Sequence, residues 1–161
     1  KDHTTIRGGF NVEGSETTVA VLKCSVKECG DTGMCVDHGA TVTAIQCEFM
    51  ENAGFGVYCH GANTKAKLND CTMHHNGAAG LKAYYHAVVD LHGTKTDIHA
   101  NEGNGIWAES RAKVNIHLPS QHNTTHDNAG QDRIQETGGS IANINADGTF
   151  THVVVDNDDE N

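Results

Sequence analysis

Six residues in the middle of the chain could do chemistry together. Tyr58, Lys82 and Trp107 follow one another at intervals of 24 and 25 residues, and His60, Tyr84 and Glu109 repeat those intervals two positions later. If successive intervals stack, flat rings stand beside a cation, an imidazole and a carboxylate on one surface. A sugar chain lying across such a surface would set its C–H faces on the rings and its hydroxyls on Glu, His and Lys. An exposed aromatic patch equally marks a protein contact, and rings in register on a sheet also support one another. Cys35 and Asp37 begin the same two columns. Tyr84 and His60, with Lys82 nearby, also bring together groups from which a β-elimination base could be built.

A second set carries metal-type ligands. Lys27, Met50, His74 and His99 share one column, beside Glu28, Glu51 and His75. His74 and His99 would stand one strand spacing apart, about 4.8 Å, with Glu51 next to His75. Such a group could hold a metal ion or form an acid–base pair. The plainer expectation is solvated turn residues: the 12 histidines scatter over many columns, and no supporting shell can be read from sequence. No cofactor is expected.

What would position these residues is a repeat. The segment Thr41 to Cys59 has imperfect copies on both sides, each with a small anchor, a turn residue five places on, and a glycine four places later. The anchors are Cys24, Cys47, Cys71 and Thr96; the turn residues are Cys29, Asn52, Asn76 and Asn101; the glycines are Gly33, Gly56, Gly80 and Gly105. Anchors and glycines both step by 23, 24 and then 25 residues, so the copies keep register across a whole unit. Before each anchor, Val19 and Val21, Val42 and Ala44, Ala66 and Leu68, Val89 and Leu91 lie two apart. After it come Val26, Phe49, Met73 and Ile98. Past the glycine, Met34, Val57, Leu81 and Ile106 alternate with outward residues. A period of two broken by Asn and Gly predicts three short strands per unit and no amphipathic helix. The three asparagines are expected to form a ladder at a turn, their amides bonding along the column and their backbone tolerating the left-handed bend.

This pattern resembles the right-handed parallel β-helix repeat superfamily, with its pectate-lyase-like and NosD-like repeats, clearly over 18–111 and weakly over 112–150. The resemblance implies an all-β fold, a single-stranded right-handed parallel β-helix or solenoid of about six coils of 23–25 residues. It implies packing and not an activity, because one fold hosts many functions. Lyases of this group use an acidic cluster for calcium and a basic residue to take the proton. The hydrolases use paired aspartates, as two carboxylates at defined separation require, and the epimerases an acidic and histidine-bearing signature. None of these motifs occurs in the sequence, so no catalytic residue is carried over. The expectation is a binding or scaffold module without catalysis. Its partner would be a polysaccharide or a protein, with a lyase-like enzyme or a structural subunit of a larger assembly as the alternatives.

Composition narrows the partners. The 161 residues carry a formal net charge of −10, which disfavours nucleic acid, since phosphate contacts need a basic stripe. No apolar run is long enough for a membrane span and no secretory signal is visible; the compartment stays open. Cys24, Cys47, Cys71 and Cys59 fall on inward positions, where a reduced thiol packs as a small apolar group. Adjacent rungs also stand within disulfide reach. Residues 1–17 read as a cap or partial coil, 18–155 as the solenoid, and 156–161 as a solvated acidic tail. Within the solenoid, 112–138 is a degraded fifth coil: Pro119 falls where an anchor belongs and breaks pairing, and Asn123 to Gly130 is expected to expand the turn. Asn123-Thr124-Thr125 is a glycosylation sequon. A hairpin after Gly139 would cap one end. Open ends, where left uncapped, could stack on another copy.

Overall fold

The computed structural model describes residues 9–117 and 124–152, and every regular element among them is a strand. The strands sort into three sheets that run the length of a solenoid. Sheet 1 stacks Phe10–Glu13, Met34–Asp37, Val57–His60, Leu81–Tyr84, Ile106–Glu109 and Arg133–Glu136 in parallel, six rungs in all. Sheet 2 stacks Thr18–Leu22, Thr41–Ile45, Lys65–Asn69, Val88–His92, Lys113–His117 and Ser140–Ile144. Sheet 3 is narrower, with Ser25–Lys27, Glu48–Met50, Thr72–His74, Asp97–His99 and Thr125–His126. The architecture is thus an all-β parallel solenoid, with close to the expected number of coils.

The period-two pattern places alternate residues in the bore. Val42, Ala66, Val89 and Val114 line it from sheet 2, Phe49, Met73 and Ile98 from sheet 3, and Met34, Val57, Leu81 and Ile106 from sheet 1, all essentially without solvent exposure. Full burial of each large aliphatic side chain is worth about 1.5–3 kcal/mol, and residues of the same kind stacked on successive coils keep the column free of gaps. Polar residues face outward on all three sheets, among them Asp90, His92, Asn115 and His117 on sheet 2, where Asp90 binds Asn115 and His117.

Corners between sheets need a left-handed residue, and here the structure corrects one expectation. At the bend after sheet 3 the positive φ angles belong to Glu51 (54°), His75 (54°) and Ala100 (52°), each one place before an asparagine. The asparagines serve instead through their side chains, which point into the bend and bond along the solenoid. Asn52 Nδ2 donates to Asn76 Oδ1 (2.9 Å), Asn76 Nδ2 to Asn101 Oδ1 (2.9 Å), and Asn101 Nδ2 to Asn128 Oδ1 (2.8 Å). Asn128 extends the ladder by one rung beyond the sequence reading. The glycine column follows from this ladder: a Cβ on Gly56 would lie 2.6 Å from Gly80 O and 2.9 Å from Asn76 Nδ2.

The inward cysteines do more than fill space. Cys47 Sγ contacts Val21 O and Ile45 O at 3.4 Å, and Cys71 Sγ contacts Ala44 O and Asn69 O at 3.4 Å. Each thiol therefore donates to corner carbonyls of its own or the preceding coil. Thr96, the fourth anchor, does the same with its hydroxyl to His92 O. All six cysteines are free.

The fifth coil keeps register where the sequence suggested an expanded turn. Ile98 and His99 pair with Thr125 and His126, and Ile106 to Glu109 pair with Arg133 to Glu136. The turn from Asn128 to Arg133 has the same length as that from Asn101 to Ile106. The two extra residues of this coil fall between His117 and Thr125, a stretch that includes Pro119 and lies mostly outside the described residues. Sheet 1 then changes polarity: Arg133 and Gln135 occupy the positions that are inward in earlier coils. Arg133 Nε donates to Thr125 Oγ1 (2.8 Å) and Gln135 Oε1 accepts from the Ile141 N–H (2.6 Å). These polar side chains, with the antiparallel strand Phe150–His152 against Ser140–Ile144, stand at the C-terminal end of the bore. The acidic tail and residues 1–8 of the N-terminal segment lie outside the described residues.

Candidate functional site

The register of sheet 1 assembles the six residues singled out above. Tyr58, Lys82 and Trp107 are direct neighbours on successive rungs, as are His60, Tyr84 and Glu109. All six are half-buried, because each leans on the next. Phe55 stacks on Tyr58 with centroids 5.4 Å apart, Tyr58 on His60 at 6.0 Å, and His60 on Tyr84 at 5.4 Å, with interplanar angles of 26°, 18° and 15°. The result is a shallow band of near-parallel rings that spans two coils.

The charged members of the face are held by one another. Lys82 Nζ sits 3.4 Å from the Trp107 ring centroid and 3.0 Å from Glu109 Oε2. His60 Nδ1 is 2.9 Å from Asp37 Oδ1, and Trp107 Nε1 donates to Glu136 Oε2 at 3.0 Å. Burial pushes the Tyr58 hydroxyl up to about 12, so it stays a neutral donor. The arrangement that could have supplied a β-elimination base therefore has its lysine engaged by Glu109 and its histidine by Asp37. What the face can do chemically is pack flat groups and exchange hydrogen bonds.

A cavity of about 380 Å³ adjoins the band, with Phe55 and Tyr58 as one wall and Glu13, Asp31, Cys35 and Asp37 among its other linings. Its three carboxylates make it strongly acidic. A second cavity of about 330 Å³ lies at the far corner beside Tyr84, Tyr85 and Arg111. Tyr85 is exposed there.

Sheet 3 carries a column of histidines. The rings of His74, His99 and His126 stack on successive rungs, with centroid distances of 5.1 and 5.2 Å and interplanar angles of 10° and 3°. The carboxylates that reach them are not the one anticipated. Glu51 is exposed, while Glu48 Oε1 lies 3.0 Å from His74 Nε2. His75 does join the group, its Nδ1 2.8 Å from His74 Nδ1. Asp97 stands between the next two rings, Oδ2 at 3.1 Å from His99 Nδ1 and Oδ1 at 3.0 Å from His126 Nε2. Burial holds His99 below the ordinary histidine range, whereas the Asp127 carboxylate holds His126 above it. Asp97, His126 and Glu48 were missed from sequence. The signal for His126 was its place two residues before Asn128, as His74 and His99 stand two before Asn76 and Asn101, inside a coil whose register Pro119 obscured; Asp97 and Glu48 fall two places before His99 and Met50, on the same outward side.

Among the described residues no helix is long and apolar enough to cross a membrane. A family model of the right-handed β-helix region matches residues 3–128. Neither a curated protein nor a solved structure gives a match to the chain.

Proposed function

The chain belongs to the right-handed β-helix family, and from that premise we propose that it is a non-catalytic binding module whose sheet 1 face receives a neutral polysaccharide. The observation that carries this reading is the band of stacked rings from Phe55 through Tyr58 and His60 to Tyr84. Parallel rings held at fixed height offer flat platforms to the C–H faces of successive sugars. Polar groups alongside, Tyr58 and Tyr84 hydroxyls and the Asp37 and Glu13 carboxylates, meet hydroxyls.

Charge selects the polymer. Glu13, Asp31 and Asp37 line the neighbouring cavity, and Lys82 is neutralised by Glu109. A polyuronate laid along this face would meet carboxylates at close range, in a chain of net charge −10. Neutral glycans carry no such penalty. A protein contact is the weaker reading, because among the described residues the large exposed hydrophobics Phe10, Leu22 and Phe150 belong to three different strands and only Tyr85 adjoins the ring band, whereas an interface core gathers such residues. Affinity electrophoresis through gels containing neutral or uronate polysaccharides tests the proposal. Retardation by at least one neutral polymer is expected, and equal mobility in all gels would overturn it.

A further inference from the structure

We infer that Asp97, His99 and His126 form a binding site for a first-row divalent transition-metal ion on sheet 3. This site lies on a different sheet from the ring band and stands independently of the polysaccharide reading. Its residues come from two successive rungs, because His99 pairs with His126 and Asp97 lies two residues before His99. One potential ligand atom from each residue falls within 4.8 Å of the other two. Donors bound to one ion at about 2.0–2.2 Å stand no more than about 4.4 Å apart. Both carboxylate-to-imidazole separations, 3.1 and 3.0 Å, are already inside that limit.

A second observation points to a missing ligand. Thr124, on the rung that aligns with Asp97, is fully buried with its Oγ1 unpartnered, while the buried atoms Asp97 Oδ1 and His99 Nδ1 have only close ion-pair contacts, to His126 Nε2 and Asp97 Oδ2, and no well-formed hydrogen bond. Three of the four such side-chain atoms among the described residues therefore gather at one place. A buried polar atom without a well-formed hydrogen bond is costly, a cost that a carboxylate oxygen and an imidazole nitrogen escape when both bind a cation.

The donor set defines the class of ion. Two imidazole nitrogens and a carboxylate suit zinc, copper, nickel or cobalt; calcium and magnesium favour oxygen throughout. Three protein donors leave a coordination position for water. His74 stacks on His99, but its Nε2 is taken by Glu48 and its Nδ1 lies against His75, so it supports the His99 ring and is not counted as a ligand. The repeat explains why the site can exist: a rigid ladder holds side chains of adjacent coils at one strand spacing, which is the separation two ligands to one ion require.

The test is calorimetric titration of the full chain, freed of metal by chelator, with zinc chloride, and in parallel a cobalt titration followed by visible absorption. One saturable zinc site per chain is expected, with cobalt d–d bands that zinc displaces. Asp97→Asn keeps the shape of the side chain and removes its charge, and His126→Ala removes one imidazole. Each should weaken zinc by at least roughly tenfold, the smallest loss seen even when only a supporting residue is removed. His86→Ala, at an exposed corner, should leave the affinity unchanged. Circular dichroism establishes that each variant is folded, and His126→Gln replaces the alanine variant if that one is not. Absence of saturable zinc binding overturns the inference. So does wild-type affinity in folded Asp97→Asn and His126 variants, which would assign the bound zinc to other histidines.

Discussion

Lys82 Nζ lies 3.4 Å from the centroid of the Trp107 ring, one rung along the solenoid, while its ion pair to Glu109 spans 3.0 Å. The lysine is mostly buried by these contacts, with 13% of its side chain exposed. Its charge is thus satisfied on the protein and its stem covers the only tryptophan. A partly desolvated cation–π contact contributes about 0.5–2 kcal/mol. Lys82→Met keeps most of the stem and removes the charge. It should lower stability by about 1 kcal/mol in urea denaturation and shift the Trp107 emission maximum. An unchanged emission spectrum would show that the ammonium does not sit over the ring.

The asparagine ladder should be among the most sensitive features to mutation. Asn76 is fully buried and takes part in six hydrogen bonds: its Oδ1 accepts from Asn52 N and Nδ2, its Nδ2 donates to Phe49 O and Asn101 Oδ1, its backbone N–H donates to Asn101 Oδ1, and its backbone carbonyl accepts from the Glu102 N–H. Asn76→Ala leaves several of those partners buried and unpaired, at about 1–3 kcal/mol each. A loss of about 3 kcal/mol or more is expected from the denaturation midpoint. Asn76→Asp should be no better, since a carboxylate cannot donate to Phe49 O. A loss below about 1 kcal/mol would mean that the ladder carries little of the stability.

The thiols should be slow to react in the native chain. Burial pushes Cys71 up to about 11, and burial with the Asp37 and Asp31 charges pushes Cys35 up to about 11. Burial raises the Cys59 thiol further still. The thiolate is the nucleophile, so iodoacetamide at pH 8 should leave these three cysteines unmodified in native protein and label them once urea is added. Peptide mass spectrometry reads the result; rapid native labelling at Cys59 or Cys71 would contradict their place in the bore.

Acid sensitivity should trace in part to Glu48. The hydrogen bond with His74 holds its carboxyl below the ordinary range, with a second bond from Ser25. Because the folded value is lowered, this stabilisation is present above the unfolded value of about 4.3 and is lost as pH falls through the folded value. The melting-temperature difference between wild type and Glu48→Gln should be largest above the unfolded value and shrink progressively as pH falls below it. A difference that persists unchanged at low pH would assign the effect to packing.

Much of this architecture is written in the repeat. Steps of 23 to 25 residues between Cys47-type anchors and Gly56-type glycines are enough to align Tyr58 with Lys82 and Trp107, because every column inherits the register of the packed one. Three things were not legible. The left-handed residue varies in type, from Glu51 to His75 to Ala100, so no residue signal marks it. Side-chain partners depend on rotamer as well as column, which is why Lys82 is engaged by Trp107 and Glu109 and not free. The fifth coil hides its register behind Pro119, which concealed Asn128 in the ladder and His126 beside Asp97.

Whether the ring band on sheet 1 receives a neutral polysaccharide is decided by titrating the protein with such polymers while recording the fluorescence of Trp107. A saturable change is expected with at least one neutral polymer, abolished in folded Tyr58→Ala and Tyr84→Ala and weak or missing with polyuronates. No change with any neutral polymer, or a change that survives both substitutions, would contradict it.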